Sequence, residues 1–155
     1  MNSDAIARII IGADHAGFSL KETIKQYLAD TGYAITDVGT DCTESVDYPD
    51  FGIRLATRVS SGEFDRGILV CGSGVGMAIV ANKFPQVRAV IGLDEETARL
   101  SRQHNDTNVL VLAGRRTDQE SAKSITRLWL NTKFEGGRHQ GRLDKIGELE
   151  KRLYK

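Results

Sequence analysis

Five short runs rich in β-branched residues, at 8–11, 34–38, 67–70, 88–91 and 109–112, alternate with longer segments whose apolar residues recur every three to four positions. The runs read as strands and the longer segments as helices. Leu20, Ile24, Tyr27 and Leu28 keep one stripe ahead of Gly32, and Phe51, Leu55 and Val59 keep another ahead of Gly62, each glycine acting as a stop. Further helices are expected to begin within 75–82 and to span about 95–104 and 118–131, with Asp94 and Asp118 as N-caps. Parallel strands need crossover connections, and helical crossovers cover both faces of the sheet they serve. The expected fold is therefore α/β: a Rossmann-like three-layer α/β/α sandwich on a five-stranded, mainly parallel sheet.

The 155 residues fit one domain, 1–155, and a chain of this size buries roughly two thirds of its unfolded surface without covalent staples. Neither a repeat nor a proline-rich linker divides it, Pro49 and Pro85 being the only prolines. Lysine plus arginine equals aspartate plus glutamate at 21 each, so no global positive field draws nucleic acid or an anionic membrane. No apolar run approaches the ~18 residues of a membrane span, and MNSDAIAR lacks the layout of an export signal. With only Cys42 and Cys71, a cytoplasmic protein with free thiols is expected. After Phe134 the segment EGGRHQGR breaks the pattern, and a C-terminal amphipathic helix is expected at about 142–155, with Leu143, Ile146, Leu149 and Leu153 on its apolar stripe. Such a helix covers its own domain or docks on a second subunit; a subunit interface is favoured here.

In an open parallel sheet, ligands bind outside the carboxyl ends of the strands, which directs attention to 12–17, 71–76 and 114–116. Gly72, Gly74 and Gly76 stand at a strand-to-helix turn. Such a turn is either a steric necessity or a cradle of backbone N–H groups for a phosphate or oxyanion. Met77 and Ile79 break the G-x-G-x-x-G dinucleotide fingerprint, and no lysine closes a P-loop. Cys71, just before the helix, is either a core thiol or an activated thiolate. Cys42 lies in a polar stretch and has no assigned role. His104, in the dense polar segment 101–108, is either a residue favoured by a helix C-terminus or an acid–base group. Arg138, His139 and Arg142 are three potential phosphate donors, completed by Arg115 or Arg116, or they form a solvated basic face. The histidines are only His15, His104 and His139, and no close HxxxH or CxxC spacing supplies a ligand set, so no metal is expected.

Taken together, Gly12 to Gly17, Asp47-Tyr48-Pro49, Cys71 to Gly76, Ala81-Asn82-Lys83, Ser101 to Asp106 and Gly136 to His139 make the chain resemble the ribose-5-phosphate isomerase B and galactose-6-phosphate isomerase family over nearly its whole length. The resemblance implies a cofactor-independent aldose–ketose isomerase of pentose phosphate metabolism, acting on a sugar phosphate as a homodimer or dimer of dimers. It implies Cys71 as the base that moves a proton between C1 and C2 through an enediolate. The backbone of Gly72, Ser73, Gly74, Val75 and Gly76, with the Ser73 hydroxyl, would form the anion hole. His104, helped by Asp14, would open the furanose ring, while Tyr48 and Asn105 hold the sugar. His15, Arg115, Arg138 and Arg142 would bind phosphate, some of them from a neighbouring subunit. Another branch of the family lacks the cysteine and uses a glutamate where this chain has Met77, which leaves Cys71 as its candidate base. Relatives acting on allose 6-phosphate, galactose 6-phosphate or four-carbon keto-sugar phosphates share these parts. From other classes, a non-catalytic sugar-phosphate or nucleotide binding module leaves Cys71 and His104 unexplained, and a nicotinamide oxidoreductase ranks last because the fingerprint fails.

Overall fold

The structure, a computed structural model, describes residues 7–155, so most of the stretch read for an export signal lies outside the described residues. Five strands and six helices alternate: β1 Ile9–Ala13, α1 Phe18–Asp30, β2 Ile35–Asp37, α2 Tyr48–Ser60, β3 Arg66–Cys71, α3 Val75–Ala81, β4 Ala89–Ile91, α4 Glu95–Asn105, β5 Val109–Ala113, α5 Gln119–Asn131 and α6 Arg138–Leu153. The strands form one sheet in the order β2-β1-β3-β5-β4, with every neighbouring pair parallel. This is the expected Rossmann-like sandwich.

The two-residue period of a strand sends alternate side chains to opposite layers. Ile9, Ile11 and Ala13 join Leu20, Ile24, Ile125 and Trp129 in one core, beneath α1, α4 and α5. Ile10 joins Phe51, Leu55, Leu69, Met77 and Val111 in the other, beneath α2 and α3. Burial on both faces is why β1, β3 and β5 read as unbroken apolar runs. The strands expected at 34–38 and 88–91 shrink to three residues each, because edge strands have a ladder partner on one side only. Asp94 and Asp118 do cap their helices, accepting from the N–H groups of Thr97 at 2.6 Å and Ser121 at 2.9 Å.

Lys21 is only 1% exposed and ion-pairs with Asp37, at the end of β2, and with Glu22. Burial pushes the Asp37 carboxyl up, but hydrogen bonds from Lys21, Lys25 and the Gly39 N–H outweigh it and hold the carboxyl below its ordinary range.

The last helix departs from expectation. It starts at Arg138, not about 142, because Gly136 and Gly137 turn the chain with φ of +67° and +56° and free the next residue to begin a helix. His139 is its one buried side chain. Its apolar stripe lies over a groove of about 430 Å³ shared with Val87, Val90 and Asn105. Glu150 accepts from the Gln86 N–H at 3.0 Å, and the Tyr154 hydroxyl donates to the Lys83 carbonyl. Ile146, Leu149 and Leu153 nevertheless stay 44%, 46% and 67% exposed. Among the described residues, no helix is long and apolar enough to cross a membrane.

Candidate active site

An open cleft of about 550 Å³ lies at the carboxyl edge of β1, β3 and β5, lined by Asp14, His15, Tyr48, Cys71, Ser73 and Arg115, with Ala16, Gly72, Gly76 and Arg116 between them. Cys71 is the last residue of β3, 4% exposed and packed in the apolar core on the Met77 side. Its carbonyl accepts from the Gly114 N–H at 2.8 Å, which ties the ends of β3 and β5 together. Both cysteines are free thiols.

The turn after Cys71 is shaped by its glycines. Gly74 takes a left-handed φ of +80°, and a Cβ on Gly76 would stand 2.6 Å from the Tyr48 ring. The aromatic wall of the cleft therefore depends on a bare backbone. Helix α3 has only seven residues, so its dipole is short and the cradle rests on the turn's own N–H groups. Ser73 Oγ accepts from the Val75 N–H at 3.2 Å, which fixes the oxygen and leaves its proton to donate outward.

Asp14 is buried, and its Oδ1 accepts from the Gly17 N–H at 2.9 Å. His15 Nδ1 accepts from the Val46 N–H at 3.1 Å, so in the neutral ring the proton sits on Nε2, a donor suited to phosphate. Val46 escaped the sequence analysis because a backbone donor 31 residues away leaves no side-chain signal. Arg116, read there as an alternative to Arg115, lines the cleft beside it.

The other expected site residues do not join this cleft. Helix α4 runs antiparallel to the strands and leads directly into β5, so His104 and Asn105 sit at the amino edge of the sheet. A five-residue strand, about 17 Å long, separates the two edges. Asn105 borders the groove under α6. His104 stacks on His139, ring centroids 4.3 Å apart and planes 16° from parallel. That contact fixes the start of α6 at the same end, along with exposed Arg138 and Arg142. Glu135 Oε2 lies 3.6 Å from His139 Nε2. Ligand-type atoms of His104, Glu135 and His139 come within 4.8 Å of one another. Stacked rings, however, aim their lone pairs in separate planes, which one cation does not satisfy.

A parallel sandwich with a thiol, a glycine turn and imidazole and guanidinium donors at the strand ends defines an α/β enzyme cleft for an anionic substrate. The sequence model of the Ribose/Galactose Isomerase family matches residues 9–146. Ribose-5-phosphate isomerase B of Escherichia coli is 47% identical over 94% of this chain and 97% of that protein, and D-erythrulose-4-phosphate isomerase of Pectobacterium atrosepticum is 43% identical over 92% and 94%. Among solved structures, ribose-5-phosphate isomerase B of Clostridium thermocellum superposes with a TM-score of 0.92 at 49% identity, covering 94% of this chain and 99% of that one. The Mycoplasma genitalium enzyme with bound ribulose 5-phosphate gives 0.89 at 40% identity, covering 93% and 96%.

The chain belongs to the ribose/galactose isomerase family of sugar-phosphate isomerases. It is an enzyme, an aldose–ketose isomerase by class, and the binding-module and oxidoreductase alternatives fall away.

Proposed function

We propose that the chain interconverts ribose 5-phosphate and ribulose 5-phosphate in the cytoplasm, as a homodimer whose two sites are each built from both subunits. The observation that carries this is Cys71 at the end of β3, sharing one cleft with Ser73, Asp14, His15, Tyr48 and Arg115. As thiolate, Cys71 removes the proton from C2 of the open-chain aldose, and the C–H electrons form the C1=C2 bond while the carbonyl electrons move to O1. The turn of Gly72, Ser73, Gly74, Val75 and Gly76 stabilises that oxyanion through N–H groups and the Ser73 hydroxyl. A proton then passes from the O2 hydroxyl to O1, the O2 electrons form the C2=O bond, and the Cys71 thiol protonates C1, which gives the ketose and restores the thiolate. Electrons balance within the substrate, and no external oxidant or reductant is consumed.

The position of His104, Asn105, Arg138 and Arg142 at the far edge supports a shared site. They serve the cleft of a second copy, where His104 opens the furanose with help from Asp14, and Asn105 holds the sugar with Tyr48. Arg138 and Arg142 meet the phosphate already held by His15 and Arg115. The half-exposed stripe of α6 supplies apolar surface for the contact.

The test follows ribose 5-phosphate by proton NMR in heavy water with wild type and Cys71→Ala. Ribulose 5-phosphate formation with deuterium exchange, lost in the variant while ligand binding persists, supports the reading; an inert wild type overturns it. The similarity to D-erythrulose-4-phosphate isomerase favours a second reading, in which the same machinery acts on a four-carbon keto-sugar phosphate. Parallel assays with both substrates decide between them.

A further inference from the structure

His139 has no part in the proton transfers proposed above, yet it is the one side chain of α6 that the fold buries, at 5% exposure. Burial has a reason in its neighbours. Its ring lies flat against His104 at 4.3 Å, and the carboxylate of Glu135 faces its Nε2 at 3.6 Å. The Glu135 N–H donates to the Gln103 carbonyl at 3.1 Å, so the segment leading into α6 is pinned to the last turn of α4, next to His104 itself. Arg102, 3% exposed, fixes that same turn by donating to the Thr132 and Thr107 carbonyls and to Asp106. A half-buried imidazole at a helix end would otherwise turn about two side-chain bonds.

We propose that His139 is a positioning residue for ring opening: its buried ring is the platform that holds the His104 imidazole flat and aimed at the sugar, and Glu135 holds the platform. The proposal rests on the isomerase reading, in which His104 opens the furanose.

Two stacked rings do not both carry charge without repulsion. Burial, then His104 and Arg138, with Arg142 adding to them, hold the His139 imidazole below its ordinary range, while Glu135 opposes. Besides the His104 ring, the charged groups that the preceding loop and α6 present to His139 are Glu135, Arg138 and Arg142.

Ring opening separates this role from a general structural one, because the two substrates differ chemically. Ribose 5-phosphate is mostly a closed furanose, whereas ribulose 5-phosphate, with its fifth oxygen phosphorylated, cannot close that ring. A residue that serves ring opening is needed for turnover of the first and bypassed when the second only exchanges a C1 proton with solvent through the enediolate. A phosphate contact or a damaged fold affects both, since both carry the phosphate.

The experiment measures, for the full-length enzyme, kcat/KM from ribose 5-phosphate and the rate of deuterium exchange into C1 of ribulose 5-phosphate in heavy water, for His139→Ala, His139→Phe, His104→Ala and the His104/His139 double variant. His139→Ala is expected to lose about 100-fold in turnover of ribose 5-phosphate, the scale of a misplaced catalytic group. Its loss of C1 exchange in ribulose 5-phosphate is expected to be at least tenfold smaller. His139→Phe, which keeps a flat apolar platform, recovers most of the loss, and the double variant is no slower than His104→Ala alone. Equal losses in turnover and exchange, or additive losses in the double variant, overturn the proposal. An alanine variant that fails to fold leaves the phenylalanine variant to decide: a loss there as large as that of His104→Ala, and equal in turnover and exchange, also overturns it. A wild type inactive in both measurements refutes the isomerase reading instead, so the two failures are distinguishable.

Discussion

The two edges of the sheet are built to different standards. At the carboxyl edge, strand ends, a glycine turn and packed side chains enclose a cleft in which Cys71 and Asp14 are held at 4% and 6% exposure. At the amino edge, His104 is half-buried, Asn105, Arg138 and Arg142 face outward, and the apolar stripe of α6 is only partly covered. The first edge is finished within one chain. The second has the chemistry of a lid without a vessel beneath it, and that contrast supports the proposal that it is offered to another copy.

The sharpest way to break this comparison is to disable each edge separately. Cys71→Ala removes the proposed base from the finished edge and is expected to lower kcat about 1,000-fold, with thermal stabilisation by ribose 5-phosphate retained. Ser73→Ala removes one donor from the same edge and is expected to lower kcat about 100-fold with a smaller change in KM. Co-refolding Cys71→Ala with His104→Ala is the decisive mixture. In random heterodimers one site pairs an intact cleft with an intact offered edge, so activity should rise from near zero to about a quarter of wild type. No recovery above the separate variants, despite heterodimers confirmed by native mass spectrometry, means that each chain completes its own site.

Smaller effects concern what supports each edge. Asp37→Ala leaves the buried Lys21 ammonium with Glu22 as its remaining close carboxylate and is expected to cost about 2–3 kcal/mol in urea unfolding. The Asp37 carboxyl is held below its ordinary value of 3.8, so its stabilising share is present above that pH and is lost as pH falls through the lower folded value. Wild type should therefore lose part of its stability below about pH 4, and Asp37→Ala should lose less over the same window. Equal acid sensitivity of the two proteins removes Asp37 from the account.

Much of this was written in the sequence, and the omissions share a cause. Strands and caps were legible because period and side-chain chemistry act locally: Asp94 and Asp118 lie three residues before the N–H groups they bond. The finished edge was legible because Cys71, Asp14 and Arg115 each follow a strand run, and parallel sheets gather such residues. The early start of α6 was hidden by Gly136 and Gly137, which read as a break and act as a hinge into the helix. The His104–His139 stack was hidden because it joins residues 35 positions apart, where no period connects them.

The all-parallel sheet has one more consequence, in time rather than space. Pairing β1 with β3 brings Ile9 beside Arg66, and pairing β3 with β5 brings Gly67 beside Val109, so both central ladders close long stretches of chain. Long closures are slow, whereas helices form in about a microsecond. Cys71, Asp14 and Arg115 converge only when both ladders are complete, and in the proposed homodimer the partner's edge arrives later still by diffusion. During refolding, helical circular dichroism should return first and catalysis last, with a final phase that quickens as protein concentration rises.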